Sequence, residues 1–344
     1  MIRHIGYACK CFGLKKTTMR SIRKGTFEAG GEAVVAEVIL HNLQILQKTL
    51  EWNLDNDIRA FRIGSELFPW MGHYSVEKLE RFKEIEYECA YTGEFARENG
   101  IRLSFHPGPF NVLCSPDPAV VAKTTKELEA HSEIFDLMGY TPSFDTKINI
   151  HVGGAYGDKE DALETWTQNY RRLSASLRKR LVIENDDKRS MYSVKDLYGL
   201  HELCDGELPI TFDYFHHSLH PDGLSEEAAL GVAVSTWPTD VVPVTHYSES
   251  RRLEYQSIIE QIFQNNFMNL QEDLHKWPTL QLYYDQWSMI KENAHSDYVN
   301  RLPETYGHQI DVMLEAKAKD RALLAVREGV ESIEEGRRTF TEVI

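Results

Sequence analysis

Short β-rich apolar runs alternate with longer segments of helical periodicity along this chain of 344 residues. The runs at 2–9, 58–63, 101–105, 147–150, 181–183, 209–212, 241–245 and 311–314 are short and bounded by polar or turn residues, as buried strands are. Between most of them, at 34–54, 75–99, 116–138, 159–178, 194–204 and 225–235, apolar residues recur every three to four positions, the spacing of a helix with one buried face. Strand and helix alternating eight times predict an α/β fold of parallel strands with crossover helices. Eight such units close most naturally into a TIM (β/α)8 barrel, with a doubly wound open sheet as the alternative. No linker or low-complexity tract divides the chain, so 1–344 reads as one domain. Residues 249–293 form a mostly helical insertion before the eighth strand, and 320–344 a peripheral tail.

Composition narrows this picture. No stretch is apolar enough for a signal core or a membrane span, and the five scattered cysteines are an odd number, which together point to reduced thiols in the cytoplasm. Cys9-x-Cys11 lacks the second pair that a thiolate metal site needs. A net charge of −15 argues against a general nucleic-acid binder, since phosphate is held by Lys and Arg. Charge distribution matters more than its sum. Between positions 10 and 24, Lys10, Lys15, Lys16, Arg20, Arg23 and Lys24 stand without an acid among them, in the first βα loop.

The residues that follow the strands carry the chemistry. The third to eighth runs lead into His106, His151, Glu184, Asp213, His246 and Glu315, and the second leads through a longer loop to His73. In a parallel barrel all strand ends of this kind share one rim, the C-terminal face where active sites of this fold lie. Any one strand-end histidine is ordinarily structural, but six consecutive strands each ending in His, Asp or Glu predict a metal site. His216, three residues past Asp213, and His295, in the loop before the last strand, complete nine candidate ligands; His217 and His220 read as structural. Imidazole and carboxylate without thiolate suit Zn²⁺, Mn²⁺ or Fe. Nine ligands exceed what one ion takes, so two or three ions are expected, with Glu184 as the bridge because its strand lies between the two His-bearing flanks. Three divalent ions would outweigh three carboxylates and make the rim of an acidic protein cationic, suited to a phosphodiester.

In order along the chain, Gly6-Tyr-Ala-Cys9, Phe61-Arg-Ile-Gly-Ser65 with Phe68-Pro69, His106-Pro-Gly108, His151-Val-Gly-Gly-Ala-Tyr-Gly157 and Glu184-Asn-Asp186 resemble motifs of the UV damage endonuclease family. Asp213-x-x-His216-His217, His246, His295-Ser-Asp-Tyr298 and Glu315-Ala-Lys317 continue the resemblance. The related endonuclease IV shares the barrel and a trimetal site, so an AP endonuclease is one alternative; a xylose isomerase-like sugar isomerase or epimerase is another. The resemblance implies a DNA repair endonuclease acting on UV-damaged double-stranded DNA in the cytoplasm, at the nucleoid, with no obligate protein partner. It implies incision immediately 5′ to cyclobutane dimers and 6-4 photoproducts, leaving 3′-hydroxyl and 5′-phosphate, by hydroxide attack at a multi-metal centre. Mn²⁺ is the ion it implies, with Mg²⁺, Zn²⁺ or Co²⁺ as substitutes. It further implies catalytic roles for Tyr7, Glu184 and Lys317, and DNA contacts from Tyr7, Pro109 and Phe110; the basic loop, on the active face of the barrel, reads as tracking phosphates through Lys15, Lys16 and Arg20. Three positions depart from the family pattern: Pro109-Phe110 replaces Gln-Tyr, Val244 replaces a lysine near the metals, and Cys11 stands where relatives often carry Asn. Phe110 can still wedge into a base stack through its ring.

Overall fold

The computed structural model describes residues 1–15, 18–265 and 278–329. Eight strands pair in the order β6-β5-β4-β3-β2-β1-β8-β7, and every pairing is parallel. They are β1 (Ile2–Ala8), β2 (Ala60–Ile63), β3 (Arg102–Phe105), β4 (Ile148–His151), β5 (Leu181–Glu184), β6 (Ile210–Thr211), β7 (Val244–Tyr247) and β8 (Ile310–Leu314). The outer strands of that order meet at a parallel bridge between Asp213 and His246, where the His246 amide donates to Phe212 O at 2.9 Å. This contact closes the cylinder and excludes the open sheet.

Helices cover the outside: α1 (Lys24–Asp55), α2 (Phe82–Glu98), α3 (Pro118–Leu137), α4 (Lys159–Tyr170), α5 (Ala175–Arg178), α6 (Val194–Leu203), α7 (Tyr214–Leu219) and α8 (Glu226–Ser235). α1 begins ten residues before the predicted onset, but Gly31, at φ 55°, interrupts it, so the regular part starts close to position 34. The predicted helix at 159–178 is two helices, because the Ser174 hydroxyl accepts from Leu177 N and starts a new turn. α9 (Arg251–Asn265) and α10 (Pro278–Met289) lie between β7 and β8, in the predicted insertion. α11 (Asp320–Glu328) is integral rather than peripheral: Ala322 and Leu323 are fully buried, and the Asp320 carboxylate accepts from Phe12 N at 2.6 Å and Gly13 N at 2.7 Å. Residues 330–344 lie outside the described residues. Among the described residues no helix is long and apolar enough to cross a membrane.

Strand alternation sorts the side chains into two sets. Residues paired in register face the same way, so Gly6, Ala60 and Met313 share one side while Tyr7, Phe61 and Leu314 share the other. The second set packs beneath the helices in the large apolar core. The first faces the barrel axis, where Ala60, Val182, Val244 and Met313 form a small separate cluster with Trp237 and Val241. Gly6 is required on this side, since a Cβ there would lie 2.5 Å from Ala60 O.

Candidate metal centre

Above the small axial cluster, the next inward-facing positions are the predicted ligands. His151 pairs in register with Glu184, Asp213 with His246, and His246 with Met313, so these side chains share the inner face at the C-terminal ends of their strands. Glu184 is fully buried at the middle. His106 Nε2 lies 3.0 Å from its Oε2, His246 Nδ1 3.0 Å from its Oε1, His216 Nδ1 3.5 Å from Oε1, and His151 Nε2 3.8 Å from Oε2. Glu315 stands 3.3 Å from His246 Nδ1 and 3.7 Å from His295 Nδ1. Asp213 caps α7 by accepting from His216 N at 2.8 Å, which brings the two side chains to 3.8 Å.

Two groups of donors are compact enough to surround a cation: His106, Glu184, His246 and Glu315, and His151, Glu184 and His216. Glu184 belongs to both. Asp213 and His295 flank them, so eight of the nine predicted ligands converge. Asp213 Oδ2 is buried without a hydrogen-bond partner among the described residues, and Glu184 Oε1 and His246 Nδ1, though 3.0 Å apart, make no well-aligned hydrogen bond. Buried polar atoms ordinarily have partners, and leaving several of them unsatisfied in one place is costly. Lone pairs gathered in this way, from imidazole and carboxylate donors, fit divalent cations.

The electrostatics agree. Burial would raise Glu184 and Glu315, but His246 and His151 hold the first, and Arg62 and His246 the second, well below the usual carboxylate range. Burial would lower His151, yet Glu184 and Asp186 push it up to about 10; Asp213 and Glu184 likewise raise His216 to about 9. Burial drives His246 down to about 3 and His295 to about 4, leaving neutral rings of the kind that ligate. Asp213 is raised to about 7 by desolvation. Without bound cations, protons on His151 and His216 offset part of the carboxylate charge.

Two predicted site residues lie elsewhere. His73 is exposed and outside both groups. Trp70 and Gly72 adopt left-handed φ of 61° and 82°, and the Trp70 indole donates to Ile22 O at 2.8 Å. These turns leave the His73 ring against the edge of Trp70, 5.5 Å between centroids. Tyr7 is fully buried on the outward side of β1, and its hydroxyl donates to Asn53 Oδ1 of α1 at 2.7 Å. It cannot touch DNA from there. Pro109 and Phe110 are exposed in the loop after β3; Lys15 and Arg20 are exposed in the first βα loop; Lys317 is exposed just past β8. Lys16 lies outside the described residues. His217 is buried against Phe212, outside the ligand groups.

Inward residues that the strand-end reading passed over also belong here. Arg62 of β2 pairs with Glu315. Asn149 of β4 donates to Glu184 Oε2. Lys147, just before β4, is buried and reaches His246 Nε2 at 3.2 Å, Asn149 Oδ1 at 3.2 Å and Thr211 Oγ1 at 3.3 Å; burial lowers it to about 7. Asp186 holds His151 Nδ1 at 3.1 Å. Such partners orient a ligating imidazole through its second nitrogen. The available signal was alternation, since Arg62, Lys147 and Asn149 have the parity of the ligands.

A UV DNA damage endonuclease of Clostridium perfringens is 34% identical over 248 residues, covering 71% of this chain and 58% of that protein's own length. The UV DNA damage endonuclease of Bacillus thuringiensis subsp. konkukian is 28% identical over 348 residues, covering 97% of this chain and 96% of the relative. The crystal structure of SacUVDE superposes with a TM-score of 0.73 at 29% identity, covering 97% of this chain and 99% of that one. The model of the UV-endonuclease UvdE family matches residues 3–343, and the chain belongs to that family.

Proposed function

We propose that this protein is a metal-dependent DNA repair endonuclease. It incises the phosphodiester 5′ to cyclobutane dimers and 6-4 photoproducts and leaves a 3′-hydroxyl and a 5′-phosphate. The observation that carries this reading is the convergence of seven His, Asp and Glu side chains around buried Glu184 at one barrel mouth, in a chain of this family.

Two or three Mn²⁺ ions suit the donor set. His106, His246 and Glu315 would hold one, His151 and His216 another, with Glu184 common to both and Asp213 and His295 serving a third. Bound there, divalent ions supply Lewis acidity and an ionised nucleophile at neutral pH. The chain's own residues do the rest. Glu184 keeps the ions together, Asp186 orients the His151 ring, and Lys147 fixes His246 from below. Lys15, Arg20 and Lys317 contact backbone phosphates. Phe110 is 87% exposed on the same rim, on a loop tied down by Asn111, which donates to Glu127 at 2.9 Å. An apolar ring there can enter the base stack and open it at a lesion, while Pro109 adds no hydrogen-bonding group, so recognition rests on how easily damaged DNA deforms.

The test is to incubate UV-irradiated and unirradiated duplexes with Mn²⁺ and map the ends formed. Nicks confined to irradiated DNA, with ligatable 3′-hydroxyl and 5′-phosphate ends, are expected. No lesion-dependent nick, together with isomerisation of a ketose, would replace this reading by the sugar isomerase one.

A further inference from the structure

Six of the eight strands deliver a candidate ligand to the rim, and β1 and β2 deliver none. In that sector the inward positions in register are Ala8, Arg62 and Ser104. The small neighbours leave Arg62 room to lie across the mouth and pair with Glu315 of β8. Its side chain is only 12% exposed, and its buried Nε has no hydrogen-bond partner among the described residues. A guanidinium stays charged in any protein and presents five N–H donors in a rigid fork. One carboxylate, itself a candidate metal ligand, does not use that fork up.

We propose that Arg62 binds a non-bridging oxygen of the scissile phosphate, filling the side of the centre that no ligand side chain occupies. This rests on the endonuclease reading above. In phosphoryl transfer charge spreads over the equatorial oxygens, and a fixed cation with paired donors stabilises that transition-state charge more than it stabilises the ground-state phosphodiester. Lys319, half-buried shortly after β8, lies near enough to Arg62 and Glu315 to feel their charges, and burial lowers its pKa from the ordinary lysine value.

The experiment compares Arg62→Gln and Arg62→Lys with the unsubstituted Mn²⁺-loaded protein. Affinity is measured for a lesion duplex made uncleavable by a methylene in place of the bridging 3′ oxygen at the incision position. Incision is measured on the ordinary duplex, and metal content by elemental analysis. Arg62→Gln should weaken binding on the order of 10- to 100-fold, the worth of a charged hydrogen bond, with a further loss in kcat and undiminished metal content. Arg62→Lys keeps the charge without the fork and should fall between; should Arg62→Gln not fold, this variant carries the test alone. Unchanged affinity and rate would overturn the inference. So would loss of metal in step with activity, since Arg62 would then only prop up Glu315. Failure of the unsubstituted protein to nick irradiated DNA removes the endonuclease reading itself, a result separate from either of these.

Discussion

The two ends of the barrel interior both bury charge, and they resolve it differently. At the floor, Asp311 accepts from Arg102 at 2.8 Å, from Arg3 at 2.9 Å and from His4 N at 3.1 Å, while Arg102 spends its other donors on Val242 O, Phe144 O and Asp145 O. Burial would raise Asp311, but the two guanidinium groups hold it below its ordinary value. That cluster is complete. At the rim, several buried atoms of Glu184, Asp213, His246 and Arg62 make no well-formed hydrogen bond among the described residues. A buried cluster satisfied by its own side chains serves the fold, whereas one left with spare lone pairs is built for a cation.

The sharpest way to break this contrast is to exchange the damage. Glu184→Ala should abolish incision, by about three orders of magnitude or more, and strip the protein of metal, since a shared carboxylate has no substitute. Retained metal would refute the bridge. Asp311→Asn leaves Arg102 and Arg3 short of a counter-charge and should cost about 3–5 kcal/mol of stability in denaturant melts. Its metal content per folded chain should stay normal; a loss there would mean the two ends are one system.

Proton competition comes next in size. In the metal-free protein the rim carboxylates keep His151 protonated up to about 10 and His216 up to about 9, above the ordinary 6.5. This stabilises the metal-free fold below about pH 6.5, and the contribution fades as pH rises through 9 to 10. A divalent ion must displace those protons. Mn²⁺ affinity, followed by titration calorimetry, should therefore rise with pH from 6 and level off near 9 to 10, by up to about a hundredfold per unit when both protons leave together. A flat profile would mean the imidazoles are already neutral.

Smaller effects separate the rim from its surroundings. Phe110→Ala should weaken lesion binding by about 1–3 kcal/mol and leave metal content alone. His73→Ala should change neither metal content nor, beyond about 0.5 kcal/mol, stability. Metal loss in the second variant would return His73 to the centre.

How legible was all this beforehand? The eight parallel strands followed from apolar runs, and most ligands from what comes one residue after each run, because a strand end fixes both the height and the side of the next residue. Tyr7, given a role by the family resemblance, shows why side matters as much as height. It lies at the right level of β1, but its neighbours Gly6 and Ala8 have the inward parity, and a tyrosine of opposite parity must pack under α1. His73 shows the reach of the rule. Ten residues beyond Ile63, its place depends on left-handed turns at Trp70 and Gly72 and on a bond to Ile22, none of which a run of apolar letters encodes. Arg62 and Lys147 were missed for the reverse reason: they sit inside or just before strands, where a charged residue in a parallel sheet looks out of place until the barrel axis gives it company.

The seam between β1 and β8 sets the order in which this molecule can be made. The first strand of the barrel in chain order pairs with the last, from Ile2 with Ile310 to Tyr7 with Leu314, and Asp320 then staples residues 12 and 13 behind it. Translation at roughly 5–20 residues per second keeps the N-terminal strand waiting for tens of seconds with one edge open. Until β8 emerges, Glu315 has not arrived and the cylinder has no closed mouth. The candidate ligands at the mouth therefore come together only once β8 is in place beside β1.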